Sequence, residues 1–327
     1  MAVRRLTCTP WRAGRAAMLS RTADSMYWLA RYMERMDCLA RLLEAAQRMS
    51  GFIAENDEWR SAIIASGNEV SFFKAHEKAD AASVGHYLAF DPENPSSILN
   101  CLERARTNAR AMRTALTRDM WDAVNEAWLE ARAMSAQNFT PEQMPRALDW
   151  VKQVTTRFNG AYMTTMLRND VYWFTRLGSL TERADNTARI LDVKYHVLLP
   201  DYSGVGGMLD YYQWTSILQA VSAARAYRVI YKDKVSPLNV ADLLILRPEL
   251  PRSLRACYDE IEQCLNDLAE LYGGRRGEAH RLAGEIHARL RYGRIHGIFS
   301  AGLHEFLTEM IDRTAELSEE IAAFYLR

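Results

Sequence analysis

Apolar positions along most of this chain recur every three or four residues, which is the spacing of one face of an α-helix. Between Ser20 and Met49, for example, Met26, Leu29 and Met33 follow this rule. No segment alternates between apolar and polar residues over the length of a strand. The pattern therefore predicts an all-α protein, built as an elongated helical bundle with short connections.

Capping residues, prolines and glycines divide this pattern into separate helices. Ser97, Thr117 and Asp170 are suited to N-caps, Pro200 ends a long helix, and residues 201–207 have the composition of a linker. The predicted helices cover residues 20–49, 58–65, 70–79, 82–90, 98–116, 117–134, 141–168, 170–199, 209–231, 240–246, 251–272, 278–291 and 295–325.

Two of the long predicted helices carry the same charged motif, Glu-Arg-x-x-x-x-Ala-Arg, and Tyr-Trp-x-x-Arg precedes it in both. A third copy of the charged motif lies between them. The copies are Glu34, Arg35, Ala40 and Arg41; Glu182, Arg183, Ala188 and Arg189; and Glu103, Arg104, Ala109 and Arg110. This similarity predicts a duplication, with halves of about 18–168 and 169–327 that pack together.

The spacing within the motif predicts where its charges point. Residues seven apart on a helix differ by about 20° in direction, so Glu34 shares a stripe with Arg41, and Glu182 with Arg189. The two ends of each stripe are too far apart to pair directly. We therefore expect each glutamate to pair with an arginine of the other motif copy, across an interface that such ion pairs would hold in register.

A second interpretation gives the arginines a binding role. Guanidinium groups with unused donors that face a cleft can bind a carboxylate or a phosphate, and both interpretations can hold at once. Trp28 and Trp173 would then form the apolar wall of the cleft, although aromatic residues at helical spacing are also typical of a core. The candidate binding residues are Arg31, Glu34, Arg35, Arg41, Arg176, Glu182, Arg183, Asn186 and Arg189.

Composition excludes several classes of partner. Forty-one basic and 41 acidic side chains balance, and no basic run interleaved with aromatic residues occurs, so a nucleic-acid partner is not expected. No apolar run reaches the ~20 residues that cross a bilayer, so we expect no membrane anchoring. The five cysteines form no metal or redox spacing, which predicts free thiols in a reducing, cytoplasmic compartment. Residues 1–17 lack apolar periodicity and are expected to be a disordered extension or an over-long start, and to be dispensable for stability.

Known catalytic and metal-binding patterns are missing from the sequence. His280, His287, His296 and His304 lie close together in the chain, but neither Glu-x-x-His nor His-Glu-x-x-His occurs, so no metal site and no cofactor are predicted. Phosphate-binding loops and nucleophile elbows are also missing. An enzyme would have to use Glu34, Glu182 or Glu305 as acid or base, with arginines as anion clamps.

Four segments, in order, resemble the alpha-E family, a bacterial all-helical family with a Glu-Arg motif. They are MLSRTADSMYWLARYMER, NPSSILNCLERARTNAR, RLGSLTERADNTARILDVKY and GLHEFL, and the resemblance runs from Met18 nearly to the C-terminus. The last segment adds His304 and Glu305 to the candidate residues. The first motif departs from the more usual ERAENTAR at Met36 and Cys38, whereas Asn186 keeps the polar position in the second copy.

The resemblance implies a function that the residues alone do not. Alpha-E proteins are typically encoded beside, or fused to, circularly permuted ATP-grasp ligases and transglutaminase-like proteins. A member is therefore expected to be a non-catalytic helical partner in a system that makes or modifies peptide-like amides, and to bind a peptide or carboxylate through its paired Glu-Arg motifs.

Overall fold

The computed structural model describes residues 16–50, 57–135, 141–198 and 208–326, which contain fifteen α-helices and no strand. The all-α prediction is confirmed for this part of the chain. The predicted linker at 201–207 lies outside the described residues, as do residues 1–15 of the predicted extension. The first helix begins at Ala16, two residues before the predicted boundary at Met18.

The helices follow one another with short connections. A 3₁₀ turn at Pro141–Gln143 precedes α7, and a π-helical turn at Ala322–Leu326 follows α15. The bounds are α1 Ala16–Met49, α2 Asp57–Ala65, α3 Glu69–Ala75, α4 Ala81–Ala89, α5 Ile98–Ala111, α6 Arg118–Ser135, α7 Met144–Thr165, α8 Asp170–Leu198, α9 Met208–Ala220, α10 Ala224–Tyr231, α11 Pro237–Leu246, α12 Leu254–Leu271, α13 Glu278–Tyr292, α14 Ile295–Ala301 and α15 Leu303–Ile321.

Helices α1 and α8 form the centre of the molecule. They pack on each other, with α5, α7 and α9 also against α1, and α12 and α15 against α8. Gly178 on α8 lies so close to α1 that a Cβ atom placed on it would be 2.2 Å from the carbonyl oxygen of Tyr27. Because both helices are surrounded, polar as well as apolar faces of the two motif copies are buried.

Two predicted helices are broken in the structure, so the prediction of single helices was wrong there. The predicted helix 209–231 is divided by Ser222, whose φ of 58° ends α9. The predicted helix 295–325 is divided by Gly302, whose φ of 105° favours glycine. Gly302 is a signal for the second break that can be read in the sequence, whereas no glycine or proline marks the first.

Local capping agrees with most of the predicted helix starts. Ser97 accepts a hydrogen bond from the backbone N–H of Asn100 at 3.3 Å, which confirms the predicted cap of α5. Helix α5 ends at Ala111 rather than at residue 116. At the start of α8, the side chain of Asn169 rather than that of Asp170 accepts from the backbone of Tyr172, at 3.2 Å.

Candidate functional site

The two motif glutamates pair reciprocally across the α1–α8 interface. Arg183 donates through Nε and Nη2 to the two carboxylate oxygens of Glu34, both at 2.8 Å. In return, Arg35 donates to Glu182 at 2.5 and 3.0 Å, and Arg31 donates to it at 2.8 Å. The predicted pairing of each glutamate with the other motif copy is therefore confirmed. The duplication that suggested it stays a prediction.

Glu182 is held ionised inside the protein. Burial alone raises the pKa of this carboxyl, but the adjacent Arg35 and Arg31 outweigh burial and lower the pKa to about 2. Glu34 has the same balance: burial raises its pKa, and Arg183 and Arg252 lower it below the ordinary value. Neither glutamate is therefore suited to exchange a proton near neutral pH.

Acid should remove the stability that Glu182 contributes. Its pKa is 4.5 when unfolded and about 2 when folded, so the contribution is complete above pH 4.5 and is lost as the pH falls towards 2. The expected loss is about 3 kcal/mol. Urea unfolding of the wild type and of Glu182→Gln, at a series of pH values from neutral to strongly acid, would measure it. If the free energy of unfolding changed equally with pH in both proteins, the low pKa assigned to Glu182 would be contradicted.

We define the first-motif cluster as Glu34, Asp37, Arg41, Arg183 and Arg252, and each of its members has at least one oppositely charged partner within the cluster. Arg252 bridges the two carboxylates, donating to Glu34 at 3.3 Å and to Asp37 at 2.5 Å. Thr155 donates to the other oxygen of Asp37 at 3.1 Å. Burial raises the pKa of Asp37, but Arg252 and Arg41 lower it below the ordinary value. Sequence reasoning missed Arg252, because it lies just before α12 and outside any motif.

Arg41 binds the C-terminal end of helix α9. Its Nε donates to Asp37 at 2.7 Å, and its Nη1 donates to the carbonyl of Ala220 at 2.8 Å and to the hydroxyl of Ser222 at 3.0 Å. The carbonyl groups at a helix C-terminus lack partners within the helix and favour a cation. Arg41 therefore stabilises the end of α9, where the chain turns at Ser222.

We define the second-motif cluster as Glu182, Asp185, Arg31, Arg35 and Arg189. All of its members except Arg31 border a cavity of about 220 Å³ between α1, α8 and the end of α2. Arg35 and Arg189 keep 27% and 31% of their side chains exposed, so solvent reaches this cavity. Its polar wall includes Arg35, Glu182, Asp185, Asn186 and Arg189, and its apolar wall includes Leu39, Leu42 and Ile190.

Several donors on the cavity wall are unused. Arg189 donates through Nε to Asp185 at 2.7 Å, and its two terminal nitrogens have no acceptor among the described residues. Asn186 is only 9% exposed, and its amide nitrogen also has no acceptor in the described part of the chain. A buried donor without a partner is costly, so such a group in a cavity indicates a place for an acceptor from outside.

Asp185 is much less well paired than Asp37, which holds the corresponding position in the first motif. Arg189 donates to its Oδ2, and no described residue donates to its Oδ1. Burial raises the pKa of Asp185, and the lowering influence of Arg189 and Arg31 does not offset this. The Asp185 side chain is 18% exposed, so the free oxygen is accessible from the cavity.

The remaining candidate residues lie elsewhere. Arg176 donates to Glu260 at 2.8 Å and to the hydroxyl of Tyr162 at 3.0 Å. His304 is hydrogen-bonded to Asp192 at 2.7 Å. Glu305 is exposed and borders a separate cleft of about 350 Å³ together with Arg289 and Arg294.

The aromatic residues do not form the cavity wall that the sequence analysis expected. Neither Trp28 nor Trp173 borders the cavity. Trp28 instead lies beneath Arg31, with the guanidinium carbon 4.8 Å from the ring centroid, and Arg31 also donates to Ser318 at 2.8 Å. The apolar wall is aliphatic, which suits a small aliphatic group better than a flat one.

One cysteine, Cys38, lies on the wall of this cavity. Cys38, Cys101, Cys257 and Cys264 are free, as predicted for thiols in the described residues. Cys38 borders the cavity, but burial raises its pKa well above the ordinary value. In residues 16–50, 57–135, 141–198 and 208–326, no group of three or more His, Cys, Asp or Glu side chains could hold a metal ion. None of the helices in these ranges has the length and apolarity that crossing a membrane requires.

The fold and the site together define a class: an all-helical protein whose two central helices are joined by reciprocal Glu-Arg pairs. Residues 18–326 match the family model Alpha-E, described as a predicted alpha-helical domain with a conserved ER motif. The chain belongs to the Alpha-E family. The adjacent Glu-Arg residues at Glu34 and Arg35, and at Glu182 and Arg183, fit that description.

Similar proteins occur in mycobacteria. A protein of Mycobacterium bovis and one of Mycobacterium tuberculosis, both titled only as uncharacterised, are 25% identical to this chain over 299 residues. The alignment covers 83% of this chain but 32% of each relative. The chain thus spans about a third of the length of these relatives. No solved structure matches the chain.

Proposed function

We propose that this protein binds the carboxylate of an amino-acid or peptide-like ligand in the cavity beside the second motif. The observation that carries the proposal is the pair of unused donors there, the terminal nitrogens of Arg189 and the amide nitrogen of Asn186. Planar guanidinium donors match the geometry of a carboxylate, and a carboxylate would satisfy the buried amide as well.

The charges of the site favour an anion. Three arginines, Arg31, Arg35 and Arg189, face two carboxylates, Glu182 and Asp185, so the cluster carries one positive charge in excess when both acids are ionised. The first-motif cluster also carries one positive charge in excess, but there Arg41 binds the backbone carbonyl of Ala220 at the end of α9. At the second motif, the corresponding arginine faces the cavity. The first motif is thus structural, and the second is both structural and available for binding.

The proposed role is non-catalytic. Both motif glutamates are enclosed by arginine, and the low pKa of Glu182 and of Glu34 makes each a poor acid or base. Glu305 is the third acid considered for an enzyme, and it lies on a different cleft from the motif arginines. We therefore favour a binding partner over an enzyme that forms or hydrolyses amides.

The resemblance to the alpha-E family points to the enzymes with which this binding protein would act. We propose that residues 18–327 act as one helical domain that presents its ligand to an ATP-grasp ligase, with a transglutaminase-like protein in the same system. Peptide-bond formation by such a ligase starts from a carboxylate, which is the group that the cavity is proposed to hold. Calorimetric titration with the neighbouring ligase, with and without its nucleotide and amino-acid substrates, would test the partnership.

Arg189→Met and Asn186→Leu should each weaken carboxylate binding about ten- to hundredfold, because a charge-assisted or buried hydrogen bond is lost. The measurement is calorimetric titration with N-acetyl-L-alanine, which offers a carboxylate and no ammonium. N-acetyl-L-alaninamide, in which the carboxyl is blocked, should not bind to the wild type.

Arg157→Met is the matched control, because Arg157 is an exposed arginine on α7 whose pair with Glu126 is also exposed. It should bind N-acetyl-L-alanine as the wild type does. Equal affinity of the acid and the amide, tighter binding of inorganic phosphate than of the acid, or amide-forming activity of the isolated chain would overturn the proposed function.

A further inference from the structure

The two motif clusters differ in one respect that the proposed function does not explain. Asp37 accepts hydrogen bonds from three side chains: Arg41 at 2.7 Å, Arg252 at 2.5 Å and Thr155 at 3.1 Å. Asp185, at the corresponding motif position, accepts from Arg189 alone. Among the described residues, no arginine donates to both Glu182 and Asp185 as Arg252 does to Glu34 and Asp37, and Arg31 acts on Asp185 only through its charge.

Asp185 borders the cavity, and no described residue donates a hydrogen bond to its Oδ1. Arg189 Nε is bonded to Oδ2, which leaves Oδ1 as an acceptor at a carboxylate that solvent reaches. An ionised carboxylate in a largely buried place is stable only when donors or cations surround it. A ligand that brought a positive group to Oδ1 would stabilise the ionised form of Asp185, as Arg252 stabilises that of Asp37.

We infer that the cavity binds a free α-amino acid as a zwitterion, with its ammonium group on Asp185 and its carboxylate on Arg189 and Asn186. This inference rests on the proposed function, because it assigns the same anion site and adds a cation site. The three residues lie within about one turn of α8, and an α-amino acid carries its two charged groups on one carbon atom. A peptide terminus separates the two charges and cannot satisfy both at once.

The rest of the cavity limits the side chain of the ligand. Leu39, Leu42 and Ile190 form an aliphatic wall, and the cavity has about 220 Å³ of space. Arginine and carboxylate groups already fill the polar side. The geometry therefore favours alanine, valine or leucine over large aromatic or charged amino acids.

The test compares three forms of each amino acid by calorimetric titration of the full chain. L-alanine, L-valine and L-leucine carry both charges, their N-acetyl forms carry only the carboxylate, and their amides carry only the ammonium. For at least one of them, the free amino acid should bind about tenfold or more tightly than either blocked form, since each charge-assisted contact contributes that much. Equal affinity of the free and N-acetyl forms in all three series would overturn the zwitterion and leave the carboxylate site intact.

Asp185→Asn separates the two contacts. It should bring the ratio of the affinity for the free amino acid to the affinity for the N-acetyl form from about tenfold or more to near one, even if loss of the pair with Arg189 shifts both affinities together. Asp122→Asn, on the exposed pair of α6 with Arg118, is the control and should change neither affinity. An equal loss of both ligands in Asp185→Asn, with an unchanged melting temperature, would overturn the ammonium contact. Failure of every form to bind the wild type would overturn the proposed function together with this inference.

Discussion

Glu34→Gln is expected to lower the free energy of unfolding by about 3–5 kcal/mol, because it leaves buried arginines without their counter-charge. Arg183 is 11% exposed at its side chain and makes both of its hydrogen bonds to Glu34, and Arg252 also depends on this carboxylate. An amide accepts through one oxygen and presents an N–H₂ group where the second oxygen was. Urea unfolding followed by circular dichroism at neutral pH would measure the loss.

Two controls distinguish the effect of breaking a buried ion pair from the effect of removing any glutamate charge. Glu126→Gln breaks the exposed pair with Arg157, in which both side chains are about half exposed, and it should cost less than about 1 kcal/mol. The double variant Glu34→Gln with Arg183→Met should be more stable than Glu34→Gln alone, because no unpaired guanidinium then remains at this position. A Glu34→Gln protein within about 1 kcal/mol of the wild type would contradict the assigned role.

The reciprocal pairing could be predicted from sequence because it follows from helix geometry. A seven-residue spacing puts Glu and Arg on one stripe but too far apart to pair, and a repeated motif supplies a partner with complementary charge. The sequence also contained the bridging residues Asp37 and Asp185, each of which pairs with the arginine four positions later at 2.7 Å. The all-α class followed from the same periodicity.

The third motif copy shows why the motif alone does not identify a site. On α5, the buried stripe includes Cys101, Leu102, Ala105 and Ala109, while Glu103, Arg104 and Arg110 are exposed. The same residue types form a buried network on α1 and α8 because those helices are surrounded by others, whereas α5 keeps a solvated face. Whether a helix is enclosed by other helices depends on tertiary packing, which cannot be read from the spacing of residues in the motif.

The difference between the two clusters could not be predicted either. It depends on Arg252, which reaches the first cluster from the turn before α12, and on Ser222, which turns the chain so that Arg41 can bind the end of α9. Both contacts join residues more than a hundred positions apart and involve no repeated motif. The sequence identified Asn186 as the polar residue retained in the second copy, but only the packing shows that its amide lies unpaired beside a cavity.

Gly178→Ala should destabilise the protein by about 3 kcal/mol or more, because it forces the two central helices apart. The added Cβ would lie 2.2 Å from the carbonyl oxygen and 3.0 Å from the carbonyl carbon of Tyr27, and neither is a flexible side chain that can move aside. A displaced α1 would also lengthen the pair of Arg31 with Glu182, which lies one turn further along both helices. Thermal and urea unfolding of the variant would measure the effect.

Gly160→Ala is the matched control, since it is also a glycine within a helix but has no atom within 4 Å of an added Cβ. Alanine has less conformational freedom than glycine to lose on folding, so this variant should be more stable than the wild type by about 0.5–1 kcal/mol. The same substitution is thus expected to act in opposite directions at the two sites, since only Gly178 lies at a helix contact. If Gly178→Ala were as stable as Gly160→Ala, α1 and α8 would not approach each other as closely as the reciprocal Glu-Arg pairs require.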